Sequence, residues 1–439
     1  MDKIEPKTPR GFPEYLPREQ LVFNKMLEVI RRSFERFGYT PLETSAVEYA
    51  NVLLAKGGGE TDKQVYRFGK GDKEYCLHFD LTVPLARYVA ANYRNLTFPF
   101  RRYQIQKVWR AENPQLGRFR EFYQCDVDLI GSKSITADAE MVAIIFETFR
   151  ALGLPDITIK ISNRKLLAGY LETLEVKKPL EVMRLVDKLD KQGPEAVGGL
   201  MEAIGLTGDQ IQKVLFLADM RGVSEKVITQ LEQTGAKSAL FAQGLKEIRE
   251  LAAAVLVQGV PSVRFKIDLG IARGLDYYTG TVYETYLNKY PEVGSVCSGG
   301  RFDNLTSFYL EKELPGVGIS IGLTRLFEIL KEKNEFKMSS AVPTKVLVVP
   351  LEEKFFSLAF SVAAKLRGED INVEIHSEST RLAKQLEYAN KIGIPYVAII
   401  GENEKKTDKL TLKDMKSGEQ KLLSVGEIAK EVKCQLAIT

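Results

Sequence analysis

The stretch Arg101–Asp128 reads RRYQIQKVWRAENPQLGRFREFYQCDVD. Strand-like segments lie on either side of a loop, ENPQLGRFRE, whose proline, glycine and arginines break the pattern. This strand–loop–strand predicts an antiparallel pair. Arg94, Arg101, Arg102, Lys107, Arg110, Arg118 and Arg120 crowd here against few acids. A solvated basic face would account for such a run. The interleaved Trp109, Phe119, Phe122 and Tyr123 argue for more. Arginine forks bind phosphate oxygens in pairs, and an aromatic ring offers its face to a base. With Arg110 and Glu112 on one arm and Arg118 and Phe122 on the other, the hairpin is built to hold a nucleotide.

Working outward, residues 19–37 place Leu21, Val22, Met26, Val29, Ile30, Phe34 and Phe37 at helical spacing, and Gly38 is a stop. GYTPLETS then reads as extended. YCLHFDLTVPLARYVA reads as a strand followed by a helix opened by Pro84. Residues 136–152 predict an amphipathic helix and ITIKIS a strand. From 164 to 261 the texture turns to Leu, Ala, Lys, Glu and Gln, with apolar residues three and four apart. It predicts a mostly helical insert. Alternation returns at Val263 and runs through RGLDYYTGTVYE (Arg273–Glu284), SGGRFDNL and GVGISIGLTRL. Residues 331–343 read as a linker. From 344 to 439, short apolar strands (TKVLVVPL, NVEIH, YVAII) alternate with helical segments, predicting a separate α/β domain with a largely parallel sheet. Residues 1–163 and 262–330 would form one discontinuous core, and the whole reads as α+β.

With 439 residues, the chain calls for two or three domains. A hydrophobic fraction of 44% and a charged fraction of 27% are those of a soluble globular protein. No apolar run is long enough to span a membrane, and the N-terminus lacks an apolar signal core. Four scattered cysteines, with no CxxC pair, read as reduced thiols of a cytoplasmic protein. Only two histidines, His78 and His376, argue against a zinc hydrolase or a His-based triad. A net charge of +4 permits a nucleic-acid partner without demanding one. Gly57–Gly59 read as a loop that orders over a site.

Several segments together carry a resemblance. Trp109-Arg110-Ala111-Glu112, then Arg118, Phe122 and Asp126, is similar to motif 2 of class II aminoacyl-tRNA synthetases. Gly316–Leu326 resembles their motif 3. The helix 19–37 with GYTPLETS resembles motif 1, their dimer-forming element. RGLDYYTGTVYE, SGGRFDNL, FDLTVP (Phe79–Pro84), EFYQCDVD (Glu121–Asp128) and KQLEYANKIGIPYVAIIGENE resemble segments of the histidyl-tRNA synthetases, over nearly the whole chain.

The resemblance implies a class II antiparallel core flanked by helices, a helical insert and a C-terminal anticodon-binding domain. It implies ATP with Mg2+, L-histidine, a histidine tRNA and a homodimer. Asp80, Thr82 and Gln124 would hold the substrate ammonium. Asp128 and Tyr278, with Tyr277 beside it, would bracket the imidazole. Arg273 and Arg110 would stabilise charge at the α-phosphate. Glu112, Phe122, Arg118 and Arg325 would meet the rest of ATP, Phe122 stacking the adenine. The chain departs from the family at Phe302, where tyrosine is usual, and at Ser45, where proline is usual. Three rivals share features: a histidine-sensing regulator, which usually lacks the signature arginine and the C-terminal domain; a tRNA-sensing module; and a class II synthetase for another amino acid.

Overall fold

A computed structural model of the chain describes residues 3–54, 63–115, 117–271, 277–336, 342–378 and 381–436. The loop read at Gly57–Gly59 lies outside these residues, as does Arg273 with the start of its motif. The chain divides into two compact units: Met1–Pro13 with Met26–Glu335, and Glu14–Lys25 with Phe336–Thr439.

In the first unit the strands are β1 (Thr40–Pro41), β2 (Val47–Tyr49), β3 (Arg67–Lys70), β4 (Lys73–Leu77), β5 (Phe100–Trp109) and β6 (Glu121–Ile130). There follow β7 (Ile157–Asn163), β8 (Arg221–Gly222), β9 (Phe265–Asp268), β10 (Thr281–Leu287), β11 (Cys297–Phe302) and β12 (Gly316–Gly322). Nine of them form one sheet in the order β1-β5-β6-β12-β11-β10-β7-β9-β8. Only β1 with β5 and β7 with β9 run parallel; the remaining neighbours are antiparallel. The strands β2, β4 and β3 make a small sheet of their own.

The β5–β6 hairpin is paired from Phe100↔Ile130 to Trp109↔Glu121. Arg110 N continues the ladder by donating to Arg120 O at 2.9 Å, and Gln115 and Arg118 bridge near the tip. One face of the sheet is covered by the helix Ile135–Ala151, capped by Ser134 and carrying Met141, Val142, Ile144, Ile145 and Phe149 in the core. Helices Pro17–Arg36, Thr82–Asn92 and Leu323–Glu332 fall on the expected segments. Thr82, not Pro84, is the first helical residue. A proline within the first turn removes an N–H that has no helical partner, so it does not mark the boundary.

Six helices occupy residues 164–257. Between them sits the two-residue strand β8, paired with β9. Two residues are too few to show alternation, so the composition gave no sign of it.

In the second unit, β13 (Val346–Pro350), β14 (Val373–Ile375), β15 (Tyr396–Ile400), β16 (Leu410–Asp414) and β17 (Gln420–Leu423) are ordered β14-β13-β15-β16-β17. The first three are parallel and joined through helices Phe356–Gly368 and Leu382–Ile392. The last two close the sheet as an antiparallel hairpin. Val346, Val348, Ala398 and Ile400 point to one buried face, Leu347, Val349, Val397 and Ile399 to the other. That two-sided burial is why these strands read as continuous apolar runs. Among the described residues, no helix is long and apolar enough to cross a membrane.

Candidate active site

Antiparallel register places directly opposed residues on one face of a sheet, and alternate residues of a strand share that face. Across β5, β6 and β12 this gives rows. One row is Gln106, Gln124 and Gly322; the next is Gln104, Asp126 and Ser320; the third is Arg102, Asp128 and Gly318. β11 extends the second row with Ser298 and the third with Gly300. Above these rows lies a cavity of about 430 Å³.

The cavity brings together Asp80, Thr82, Gln124, Tyr277, Tyr278, Arg110, Glu112, Arg118, Phe122 and Arg325. Of the expected residues described, Asp128 alone is not on its wall. It is 3% exposed, one row deeper than Asp126, and its Oδ2 stands 2.8 Å from Arg102 Nη2. Arg102, part of the basic run in the sequence, is no surface cation: its exposure is 0%. The alternation within Arg101-Arg102 turns the first arginine outward to Glu140 and the second inward.

Asp80 ends the segment after β4. Its Oδ1 accepts from Val83 N at 3.0 Å, while Oδ2 is buried without a hydrogen-bond donor. Asp128 Oδ2, by contrast, is met by the Arg102 guanidinium. Burial raises Asp80 from its ordinary value of 3.8 to about 6, against the opposing pull of Val83 N, Arg110 and Arg102. Burial also pushes Asp126 and Asp128 upward, again opposed by Arg102. The end of the cavity thus gathers three carboxylates around one buried cation.

Two glycines make the room. A Cβ on Gly318 would fall 2.1 Å from Asp128 Oδ1 and 2.8 Å from Val127 O. One on Gly300 would fall 2.9 Å from Tyr278 Cδ1 and 2.7 Å from Thr281 O. Tyr277 and Tyr278 both reach the cavity wall, their rings edge to face at 5.0 Å. Tyr277 also packs on Phe302 at 6.0 Å, within a buried cluster that includes Leu85 and Ile130. Phe302 is therefore a core ring, 2% exposed and off the cavity wall.

At the hairpin end, Arg110 Nε donates to Phe79 O at 3.0 Å, and its guanidinium lies 5.1 Å from the centre of the Phe122 ring. One face of Phe122 is thus taken by a cation of this chain. Arg118 stands 3.7 Å from Glu112. Arg325, half-buried, is pushed below its ordinary value by burial first and by the charge of Arg118 second. Its Nη2 donates to Val293 O, and its Nε has no partner. Two arginines facing one void, with Arg118 acting against the charge of Arg325, favour a polyanion.

Asp126, Ser320, Ser298 and Glu284 also line the cavity and were given no site role from sequence, although Asp126 closes the motif 2 pattern. Asp126 had a signal, since Gln124 and Asp128 already define its face. Ser320, Ser298 and Glu284 depend on which strands become neighbours, which alternation does not reveal. His78 is a core group: its ring nitrogens lie 3.1 Å from Ser45 O and 2.7 Å from Lys107 O. Ser45 donates to Val47 O at 2.7 Å. Among the described residues, no three His, Cys, Asp or Glu side chains cluster as a metal site.

Comparison with known proteins agrees with this layout. Residues 11–326 match the family model for histidyl-tRNA synthetase, and 345–435 match an anticodon binding domain. A histidine–tRNA ligase of Clostridium tetani is 47% identical over 435 residues, covering 98% of this chain and 99% of that one. One from Stenotrophomonas maltophilia is 43% identical, covering 99% and 98%. The crystal structure of histidyl-tRNA synthetase from a Nostoc species superposes with a TM-score of 0.89 at 39% identity, covering 99% of this chain and 100% of that one. An antiparallel class II core with a cavity between acids and arginines, a C-terminal α/β domain and these full-length matches place the chain in the histidyl-tRNA synthetase family.

Proposed function

We infer that the chain is a histidine–tRNA ligase, which activates L-histidine with ATP and transfers it to the 3′ end of a histidine tRNA. The observation that carries this reading is the acid-lined end of the cavity, where Asp80 Oδ2 is buried without a hydrogen-bond donor and Asp128, one row deeper, turns its Oδ2 to the Arg102 guanidinium. A buried acceptor without a donor is costly, and a ligand with N–H donors at two places satisfies Asp80 while presenting a second donor toward Asp128. Histidine has such donors in its ammonium and its imidazole.

In this reading Asp80, Thr82 and Gln124 hold the ammonium, and Asp128 with Tyr278 and Tyr277 surrounds the ring. A site built on buried hydrogen bonds rejects analogues lacking the ring by about 10⁴–10⁵. The substrate carboxylate points toward the hairpin, where it attacks the α-phosphorus of ATP in line. A bond forms from carboxylate oxygen to phosphorus, the bond to the bridging oxygen breaks, and pyrophosphate leaves. Arg110 and Arg273 stabilise the charge that develops there. Arg118 and Arg325 receive the outer phosphates. Phe122 carries the adenine on the face that Arg110 leaves open. In the second step the terminal ribose hydroxyl of the tRNA attacks the adenylate carbonyl, its proton passing to the phosphate of the departing AMP.

Magnesium fits this end of the cavity. Glu112 and Glu284 both act electrostatically on Arg325 from the wall. One or two carboxylates suffice for an ion that keeps waters and phosphate oxygens as its other ligands. When bound, it neutralises phosphate charge. The C-terminal domain, about 344–439, would bind the anticodon arm, reading unpaired bases by stacking and edge contacts. Residues 1–163 and 262–330 form the catalytic core in this scheme, with the helical insert 164–261 and the linker 331–343. A homodimer through the helix Pro17–Arg36 and the extended segment after it, and a cytoplasmic location, complete the proposal.

The test is charging of a histidine tRNA transcript with radiolabelled histidine. Histidine- and ATP-dependent charging supports the reading. Histidine binding without charging or ATP–pyrophosphate exchange replaces it with the sensor reading.

A further inference from the structure

Arg102 has no place in the mechanism above, yet it is the largest fully buried side chain of the chain's described residues. A buried arginine is retained at a cost unless its charge and donors are used. Nη1 donates to Gln104 Oε1 at 3.2 Å and Nη2 to Leu81 O at 3.1 Å, while Nη2 also stands 2.8 Å from Asp128 Oδ2. Gln104 is itself fixed, donating to Thr44 Oγ1 at 2.9 Å and to Gln106 Oε1 at 2.6 Å. The guanidinium therefore ties together two pieces that are far apart in sequence: the turn Asp80–Thr82 and the Asp128 carboxylate on β6.

We propose that Arg102 is the positioning residue of the histidine site, setting the spacing between Asp80 and Asp128 and supplying a buried positive charge among the cavity-floor carboxylates. The proposal rests on the histidine reading of those two acids. Because the planar fork meets Leu81 O and Asp128 together, its geometry, and not charge alone, does the positioning. The ligand's ammonium and ring then meet two acceptors held apart at a fixed distance, which a shorter or longer amino acid does not span.

Among the described residues, the titratable and charged groups facing this cluster are Asp80 before the helix Thr82–Asn92, Arg102 on β5, Arg110 at the hairpin, Asp126 and Asp128 on β6, and Tyr277 and Tyr278 before β10, with Tyr39 under the charge of Asp128 and Tyr309 under that of Asp80. Arg102 draws all three carboxylates toward ionisation. Its removal makes each ionise at higher pH, so the acid limb of kcat/KM for histidine moves upward.

The test compares Arg102→Met and Arg102→Lys with wild type by histidine-dependent ATP–pyrophosphate exchange across pH, with Asp80→Asn and Asp128→Asn as controls. Arg102→Met should raise KM for histidine roughly ten- to a hundredfold, leave KM for ATP within about threefold, and move the acid limb up. Arg102→Lys keeps the charge and loses the fork. It should raise KM for histidine while the acid limb stays near its wild-type position, and it keeps the test available if the methionine variant does not fold. Unchanged histidine KM and acid limb in the lysine or methionine variant, with only a lower melting temperature, overturn the proposal and leave a structural ion pair. If Asp80→Asn and Asp128→Asn leave histidine KM unchanged, the histidine-site reading itself falls. If those two raise it and the Arg102 variants do not, only the Arg102 proposal falls.

Discussion

The two ends of the cavity are built on opposite plans. The floor beside Asp80, Asp126 and Asp128 is buried and held from below by Arg102, Gln104 and Thr44. The hairpin end carries Arg110, Arg118 and Arg325, of which Arg118 is half exposed and Arg325 is disfavoured first by burial and then by the charge of Arg118. A rigid floor with fixed acceptors suits discrimination among small amino acids, where misplacement of a single donor decides. A set of mutually repelling cations suits a polyphosphate that brings its own charge and leaves in pieces. If the proposed roles hold, selectivity and charge stabilisation fall at different ends of one void, and mutations should separate them.

The largest separation is expected at Arg110. Arg110→Ala should lower kcat for exchange by about 10²–10³, the scale for losing one preorganised donor at a developing charge. Equilibrium binding of histidine alone, read by calorimetry, should change far less. Equal losses in both would mean that the two ends are not separable. Next comes the floor. Gly318→Ala puts a methyl group into the Asp128 carboxylate and the Val127 carbonyl. We expect at least a tenfold rise in KM for histidine, the scale of one displaced charged hydrogen bond, with KM for ATP little changed.

A third contrast is in pH. The folded-state value of Asp80, about 6, lies above its ordinary 3.8, so the folded chain binds this proton more tightly than the unfolded chain. Its contribution to stability is complete below about pH 4 and is lost as pH rises through about 6, at most roughly 3 kcal/mol. The stability of the ligand-free wild type should therefore fall relative to Asp80→Asn between pH 4 and pH 7. Denaturant melts at several pH values check this. A gap that stays flat would show that Asp80 is not a strained acid. The smallest effect belongs to Phe302→Tyr, which changes a core ring off the cavity wall. KM for histidine should move less than about twofold. A larger change would extend the floor to that side.

What the sequence made legible follows the length of the pattern. Ten-residue strands with a breaker loop between them are plain, so β5 and β6 and the cavity-lining residues of the hairpin could be read directly. The two-residue β8 could not. The face of β6 was legible through Gln124 and Asp128, and Asp126 lay on it by the same period. Arg102 was hidden for a different reason. In a run of arginines, composition points to a surface, and only the pairing of β5 with β6 shows that the second arginine turns in toward Asp128. Ser320 and Glu284 needed the order of strands in the sheet, which is set by packing of the whole unit and leaves no local trace.

The most direct test of the account is ATP–pyrophosphate exchange with each of the twenty amino acids, run on the wild type and on Asp128→Asn. The account predicts exchange with histidine alone in the wild type, and in Asp128→Asn a KM for histidine raised at least tenfold with KM for ATP little changed. Exchange supported equally by another amino acid, or an Asp128→Asn protein indistinguishable from wild type, would contradict it.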